Sequence, residues 1–167
     1  MPSTLTFIHF HPSTLTFSTA HVQAACPQGW TLFNNRCFKL VTKPDTFHRA
    51  QGVCEVENSH LASVHSAAEL DFLKNVVRAS GVYQQGAWLG GSDDGSEGTW
   101  YWIDGSPFDF ADWAQGQPDN FGVEDCLMMT PYDKLRWKDL RCGFTMPFIC
   151  SKRSRRPQMT DFISCSP

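Results

Sequence analysis

The cysteines limit what this chain can become more than any other feature. There are seven: Cys26, Cys37, Cys54, Cys126, Cys142, Cys150 and Cys165. No two form a C-x-x-C pair, which argues against a zinc ribbon or a thioredoxin-type redox site. Disulfides are the remaining use for so many thiols, and they suit an oxidising, extracellular compartment. Six cysteines lie between residues 26 and 150, and the seventh stands apart in a tail. Spacing leaves many pairings open. The length, 167 residues, suits one domain with little left over.

Charge divides the chain. Residues 1–25 hold no Lys, Arg, Asp or Glu, and the segment PSTLTF occurs in them twice. This stretch reads as a degenerate signal or leader segment, with Val22-Gln23-Ala24 as a small-residue cleavage site, or else as a disordered extension. The end, 153–167, reads as a basic flexible tail. Between 26 and 150 there are 10 basic and 16 acidic residues. From Arg78 to Lys134 no base intervenes among ten acids. Nucleic acid is therefore a poor partner, whereas a bound cation or a solvated acidic surface fits. No apolar run is long enough for a transmembrane helix.

Hydrophobic patterning outlines the elements. Trp30, Phe33, Cys37, Phe38 and Leu40 predict a hairpin turning at Asn34-Asn35. Residues 45–57 predict a helix burying Phe47, Ala50, Val53 and Cys54. A second helix starts at Ser66, which pairs with Glu69 as a capping box. Leu70, Leu73, Val76 and Val77 form its apolar face, and Gly81 suits its end. Residues 87–91 predict a core strand, and three more strands are expected near 126–130, 135–137 and 145–151. The intervening 92–125 is loop-like, rich in Gly, Asp and aromatics, and a loop of that length is usually functional. His48, His60 and His65 read as surface or capping residues. Gly91-Ser92-Asp93-Asp94-Gly95 lacks the spacing of a nucleophile elbow. With no nucleophile–base pair, the chain reads as a binding protein and not an enzyme.

Six short motifs then occur in order: Trp88-Leu89-Gly90-Gly91, Glu97-Gly98-Thr99-Trp100-Tyr101-Trp102, Gln117-Pro118-Asp119, Glu124-Asp125-Cys126, Trp137-Lys138-Asp139 and Phe148-Ile149-Cys150. Together they resemble the C-type lectin domain over roughly 26–152. Within that family the chain resembles the single-domain secreted lectins of fish, the ladderlectin type among them; type II antifreeze proteins share the fold. The resemblance implies an α+β fold of two helices, two small antiparallel sheets and a long loop region. It implies the disulfides Cys26–Cys37, Cys54–Cys150 and Cys126–Cys142. It also implies a principal calcium site at Gln117, Asp119, Glu124 and Asp139. A cis peptide before Pro118 would aim the first two oxygens at one point.

The order Gln-Pro-Asp resembles the galactose type, with Phe121 placed to stack on the sugar. The function implied is calcium-dependent binding of galactose-type glycans on glycoproteins or microbial surfaces, in secreted innate recognition. A weaker secondary metal position maps to Asp93, Glu97 and Asp125. Trp88, Trp100, Trp102, Trp113 and Trp137 read as core. One departure matters: Lys138 stands where the family places Asn, and an ammonium has no lone pair for calcium. Two alternatives follow: a lectin fold with a vestigial calcium site that binds proteins or acts as a toxin-like module, and, disfavoured by Asn120-Phe121-Gly122-Val123, an antifreeze protein.

Cys165 is left over once six cysteines pair. It is expected to be free or to link two chains, and a linked dimer would raise avidity for clustered sugars. Non-reducing electrophoresis and thiol labelling check this. A monomer with Cys165 bonded inside the domain would overturn it.

Overall fold

The computed structural model describes residues 25–155. Residues 1–24 and 156–167, which hold most of the expected leader and tail as well as Cys165, lie outside the described residues. Eight strands and two α-helices follow in the order β1 (Thr31–Phe33), β2 (Arg36–Asp45), α1 (Phe47–Val56), β3 (His60–Leu61), α2 (Ala67–Ala79), β4 (Ala87–Ser92), β5 (Tyr101–Trp102), β6 (Cys126–Thr130), β7 (Arg136–Leu140) and β8 (Met146–Arg153). No helix among the described residues is long and apolar enough to cross a membrane.

The β1–β2 hairpin turns through Asn34 (φ 45°) and Asn35 (φ 60°). Asn tolerates this left-handed region, and such a turn matches the twist of its strands. The fold is of the expected class, but the strands form one mixed sheet and not two antiparallel ones. The main path runs β1-β2-β8-β4-β6-β7, with β3 on β8 and β5 on β4. The join is the short parallel pairing of Trp88 with Phe148. Residues Pro147 to Ser151 of β8 are all buried. The strand therefore uses both edges, antiparallel to β2 and parallel to β4.

The three expected disulfides are present, with Cα separations of 5.6 Å (Cys26–Cys37), 5.5 Å (Cys54–Cys150) and 5.2 Å (Cys126–Cys142). In α1 the residues Phe47, Ala50 and Cys54 are buried, but Val53 is 41% exposed, against expectation. Consecutive helical residues point about 100° apart. Once Cys54 faces Cys150, Val53 turns outward. In α2, Leu70, Leu73 and Val77 are buried and Val76 is half-buried. Gly81 ends the helix with φ +82°.

Strand β4 is buried along its whole length, and its glycines are required by close packing. A Cβ on Gly90 would lie 2.5 Å from the Leu61 carbonyl oxygen, and one on Gly91 would lie 2.7 Å from Leu127 Cδ1. Ordered backbone also extends past the expected tail boundary. Arg153 is still in β8, and Arg155 bridges Ala25.

The capping box differs in one detail. The Ser66 hydroxyl accepts the Glu69 N–H at 3.2 Å, but the Glu69 carboxylate accepts from His65 N at 2.9 Å, not from Ser66. Arg36 holds the other oxygen of that buried carboxylate at 2.7 Å. The same guanidinium donates to Ser63 O, Ser63 Oγ and Ser151 Oγ. One side chain thus ties β2, β8 and α2 together. Arg36→Ala is expected to lower unfolding stability in urea by about 3 kcal/mol, because it leaves a buried carboxylate unpaired. Arg36→Met with Glu69→Leu is expected to recover much of that loss.

Candidate functional site

The long loop is an ordered strap held on β7. Trp137 N donates to Asp112 O at 2.8 Å, and Ala114 N donates to Trp137 O at 2.7 Å. Beneath it, Trp102, Phe110 and Trp113 pack edge-on against Trp137 at 5.6, 5.7 and 5.9 Å between ring centroids. Trp88, Trp102 and Trp137 are fully buried, and Trp100 and Trp113 pack against the core, as expected. None of the five is a free sugar platform.

The strap delivers Gln117, Asp119 and Glu124 to the buried end of β7. The Gln117–Pro118 peptide is cis. Asp139 is 1% exposed, and its carboxylate accepts Asp119 N at 3.2 Å and Asn120 N at 2.6 Å. Asp119 accepts from Gln117 Nε2 at 2.7 Å and from Phe121 N at 3.2 Å. Carboxylate oxygens of Asp119, Glu124 and Asp139 lie within 4.8 Å of one another, the only such group among the described residues. Two oxygens there are buried with no hydrogen-bond partner, Gln117 Oε1 and Glu124 Oε2. Buried polar atoms are rarely left unpaired, so these acceptors point to a cation. The donor set, one amide and three carboxylates, is the hard-oxygen chemistry that calcium takes.

Asn120 is not among the expected ligand residues. It adopts φ 46°, its Oδ1 accepts Glu124 N at 3.0 Å, and its Nδ2 donates to Glu97. It therefore shapes the short loop from inside. Its signal was present in the sequence, since Asn is the non-glycine residue most at home at positive φ. Phe121 is 78% exposed beside the cluster.

The secondary trio is gathered less tightly. Asp93 is buried, with Oδ2 accepting Gly98 N at 2.8 Å and Oδ1 unpartnered. Burial, then Asp93 and Asp125, raise the Glu97 pKa; burial, then Asp93 and Asp94, raise that of Asp125. The three feel one another but do not converge as the first group does. Lys138 lies on β7 between buried Trp137 and Asp139. Among the described residues it makes no ion pair, and Asp133 faces Arg136, at 3.7 Å. His65 meets Asp109, and His60 meets Gln51.

Burial pushes the Glu124 carboxyl above its usual range; Lys138 opposes this, and Asp139 and Asp119 add to it. The calcium-free native state then binds more protons than the unfolded chain between the ordinary glutamate range and the raised value. Stability from this group is present below that window and lost as pH rises through it. In chelator, wild type is expected to gain stability relative to Glu124→Gln as pH falls from neutrality toward the ordinary glutamate range. Urea midpoints measure this, and parallel profiles for the two proteins would refute it.

Comparison with known proteins places this geometry. The model of the Lectin C-type domain matches residues 43–152. Ladderlectin of Oncorhynchus mykiss is 39% identical over 123 residues, covering 73% of this chain; the match spans 65% of ladderlectin's own length. The galactose-specific lectin nattectin of Thalassophryne nattereri is 31% identical over 141 residues, 80% of this chain and 84% of nattectin. Among solved structures, a calcium-independent type II antifreeze protein aligns with a TM-score of 0.74 at 33% identity, over 81% of this chain and 99% of that one. The chain therefore belongs to the C-type lectin domain family, a family of binding proteins and not of enzymes.

Proposed function

We propose that this protein is a secreted, calcium-dependent lectin for galactose-type glycans, with residues 26–152 as its lectin domain and residues 1–25 as its leader. The observation that carries the reading is the convergence of Asp119, Glu124 and Asp139 beside the unpartnered oxygens of Gln117 and Glu124. Gln117, Asp119, Glu124 and Asp139 would hold the ion. Calcium, when bound, supplies a coordination partner for two vicinal sugar hydroxyls. The chain's own groups do the rest. Asp119 and Glu124 accept hydrogen bonds from those hydroxyls, and exposed Phe121 covers the apolar face of the ring. The galactose reading draws support from the Gln-Pro-Asp order and from nattectin, which is named as galactose-specific.

A second reading keeps the fold and drops the ion. It draws on Lys138 at a position that offers calcium no oxygen, and on the likeness to a calcium-independent antifreeze protein. The glycan or protein partner would then bind without metal.

Titration calorimetry separates the two. Calcium uptake is expected in wild type, followed by galactose binding that chelator abolishes. Glu124→Gln and Asp119→Asn are each expected to weaken calcium binding on the order of tenfold or more, since each removes a charged oxygen donor. Galactose binding unchanged in chelator would sink the calcium reading.

A further inference from the structure

The face of β7 opposite Asp139 carries two adjoining hollows that the calcium reading does not use. One, of about 320 Å³, has an apolar floor of Met128, Leu140 and Met146, with Gln84, Gln85 and Thr145 at its rim. The other, of about 380 Å³, is walled by Gln115, Gln117 and Asp133. Thr130, Tyr132 and Lys138 line both, so the two form one groove with those residues at its middle. Gln117 belongs at once to the groove wall and to the oxygen cluster. The groove therefore adjoins the cluster at Gln117.

The middle of the groove is built to grip a sugar. Tyr132 is 95% exposed, more than any other large hydrophobic side chain among the described residues. It stands on a 3-10 turn, Pro131–Asp133, that the Thr130 hydroxyl caps and left-handed Lys134 and Leu135 close. An aromatic ring held out on a short fixed turn suits stacking on the CH face of a pyranose.

Lys138 supplies the groove's positive charge. Among the described residues no acid lines the apolar-floored hollow, and in the other the Asp133 carboxylate already faces Arg136 at 3.7 Å and Gln115 N at 3.4 Å. Lys138 does not close on the acidic cluster, although its charge is felt by Glu124. A divalent ion in place would offset two of the three clustered negative charges and so weaken their repulsion of an anion nearby. An ammonium among glutamine amides and threonine hydroxyls makes a donor-rich lining, which favours an acceptor-rich group such as a sulfate or carboxylate.

We propose that this groove is a second glycan subsite, in which Tyr132 stacks a neighbouring sugar and Lys138 pairs with an anionic substituent, so that the preferred ligand is an acidic galactose-containing oligosaccharide. The proposal rests on the galactose reading of the adjoining cluster. It gives the lysine that departs from the family pattern a role in specificity.

The test is calorimetry on the full chain in calcium with lactose, 6′-sulfolactose and 6′-sialyllactose, all of which leave the galactose 3- and 4-hydroxyls free. An acidic lactose is expected to bind about fivefold tighter than lactose, the gain of one partly exposed charge pair. The gain shrinks in high salt. Whichever acidic sugar shows it identifies sulfate or carboxylate as the source. Lys138→Gln is expected to bring the acidic-to-neutral ratio to about one. Tyr132→Ala, at an exposed turn, is expected to weaken lactose relative to free galactose. Equal affinities for neutral and acidic lactose, or a ratio unchanged in Lys138→Gln, would overturn the subsite while lactose binding in calcium leaves the cluster reading intact. Acidic-lactose binding that persists in chelator and is lost in Lys138→Gln would keep the groove and remove the calcium reading. Binding of none of the three sugars would overturn both.

Discussion

The candidate site depends on the seam between the long loop and strand β7. Residues 93–125 hold only one two-residue strand, yet they lie against the core, and their backbone groups must find partners there. Strand β7 supplies them. Trp137 exchanges backbone hydrogen bonds with Asp112 and Ala114 on either side of Trp113, and its indole anchors the aromatic cluster under the loop. Two residues on, the Asp139 carboxylate takes the N–H groups of Asp119 and Asn120. The loop is thus ordered by the same strand that carries part of the site.

That arrangement concentrates acid where a globular protein ordinarily avoids it. Asp93, Glu124 and Asp139 are buried, and no base occurs in the sequence between Arg78 and Lys134. The acids are partly satisfied by backbone N–H donors, as at Asp93 and Asp139, and burial holds the Glu124 and Asp125 carboxyls above their ordinary range. Three side-chain oxygens are left without a partner, Gln117 Oε1 and Glu124 Oε2 at the cluster and Asp93 Oδ1 in the secondary trio. Leaving such atoms dry and unpaired costs about 1–3 kcal/mol each, a cost that a cation held there would offset.

Strand β7 also separates two chemistries by its pleat. Trp137 and Asp139 face inward, and Arg136, Lys138 and Leu140 face the other way. Adjacent residues of one tripeptide motif therefore serve different surfaces. A substitution at 138 therefore alters the groove lining while the Asp139 carboxylate keeps its place on the loop.

Several parts of this were legible in the residues alone. Asn34-Asn35 dictates a tight turn because both central residues need positive φ. Ser66 marks a helix start because its hydroxyl caps an orphan N–H, and Gly81 marks the stop. The ordered motifs, matched to a family, carried the cysteine pairing and the candidate ligands. Other parts depend on atoms distant in the chain. Val53 faces water because Cys54 is committed to Cys150, ninety-six residues away. Glu69 reaches His65 and not Ser66 because Arg36, on another element, holds its second oxygen. The single mixed sheet follows from β8 being buried on both sides. The direction of Lys138 follows from the pleat of β7 and from what already fills its surroundings. Local sequence sets turns, caps and the inventory of oxygens, since those act within a few residues. Which oxygens stay unpaired, and where one lysine points, only the tertiary packing decides, because both depend on partners brought together across the whole chain.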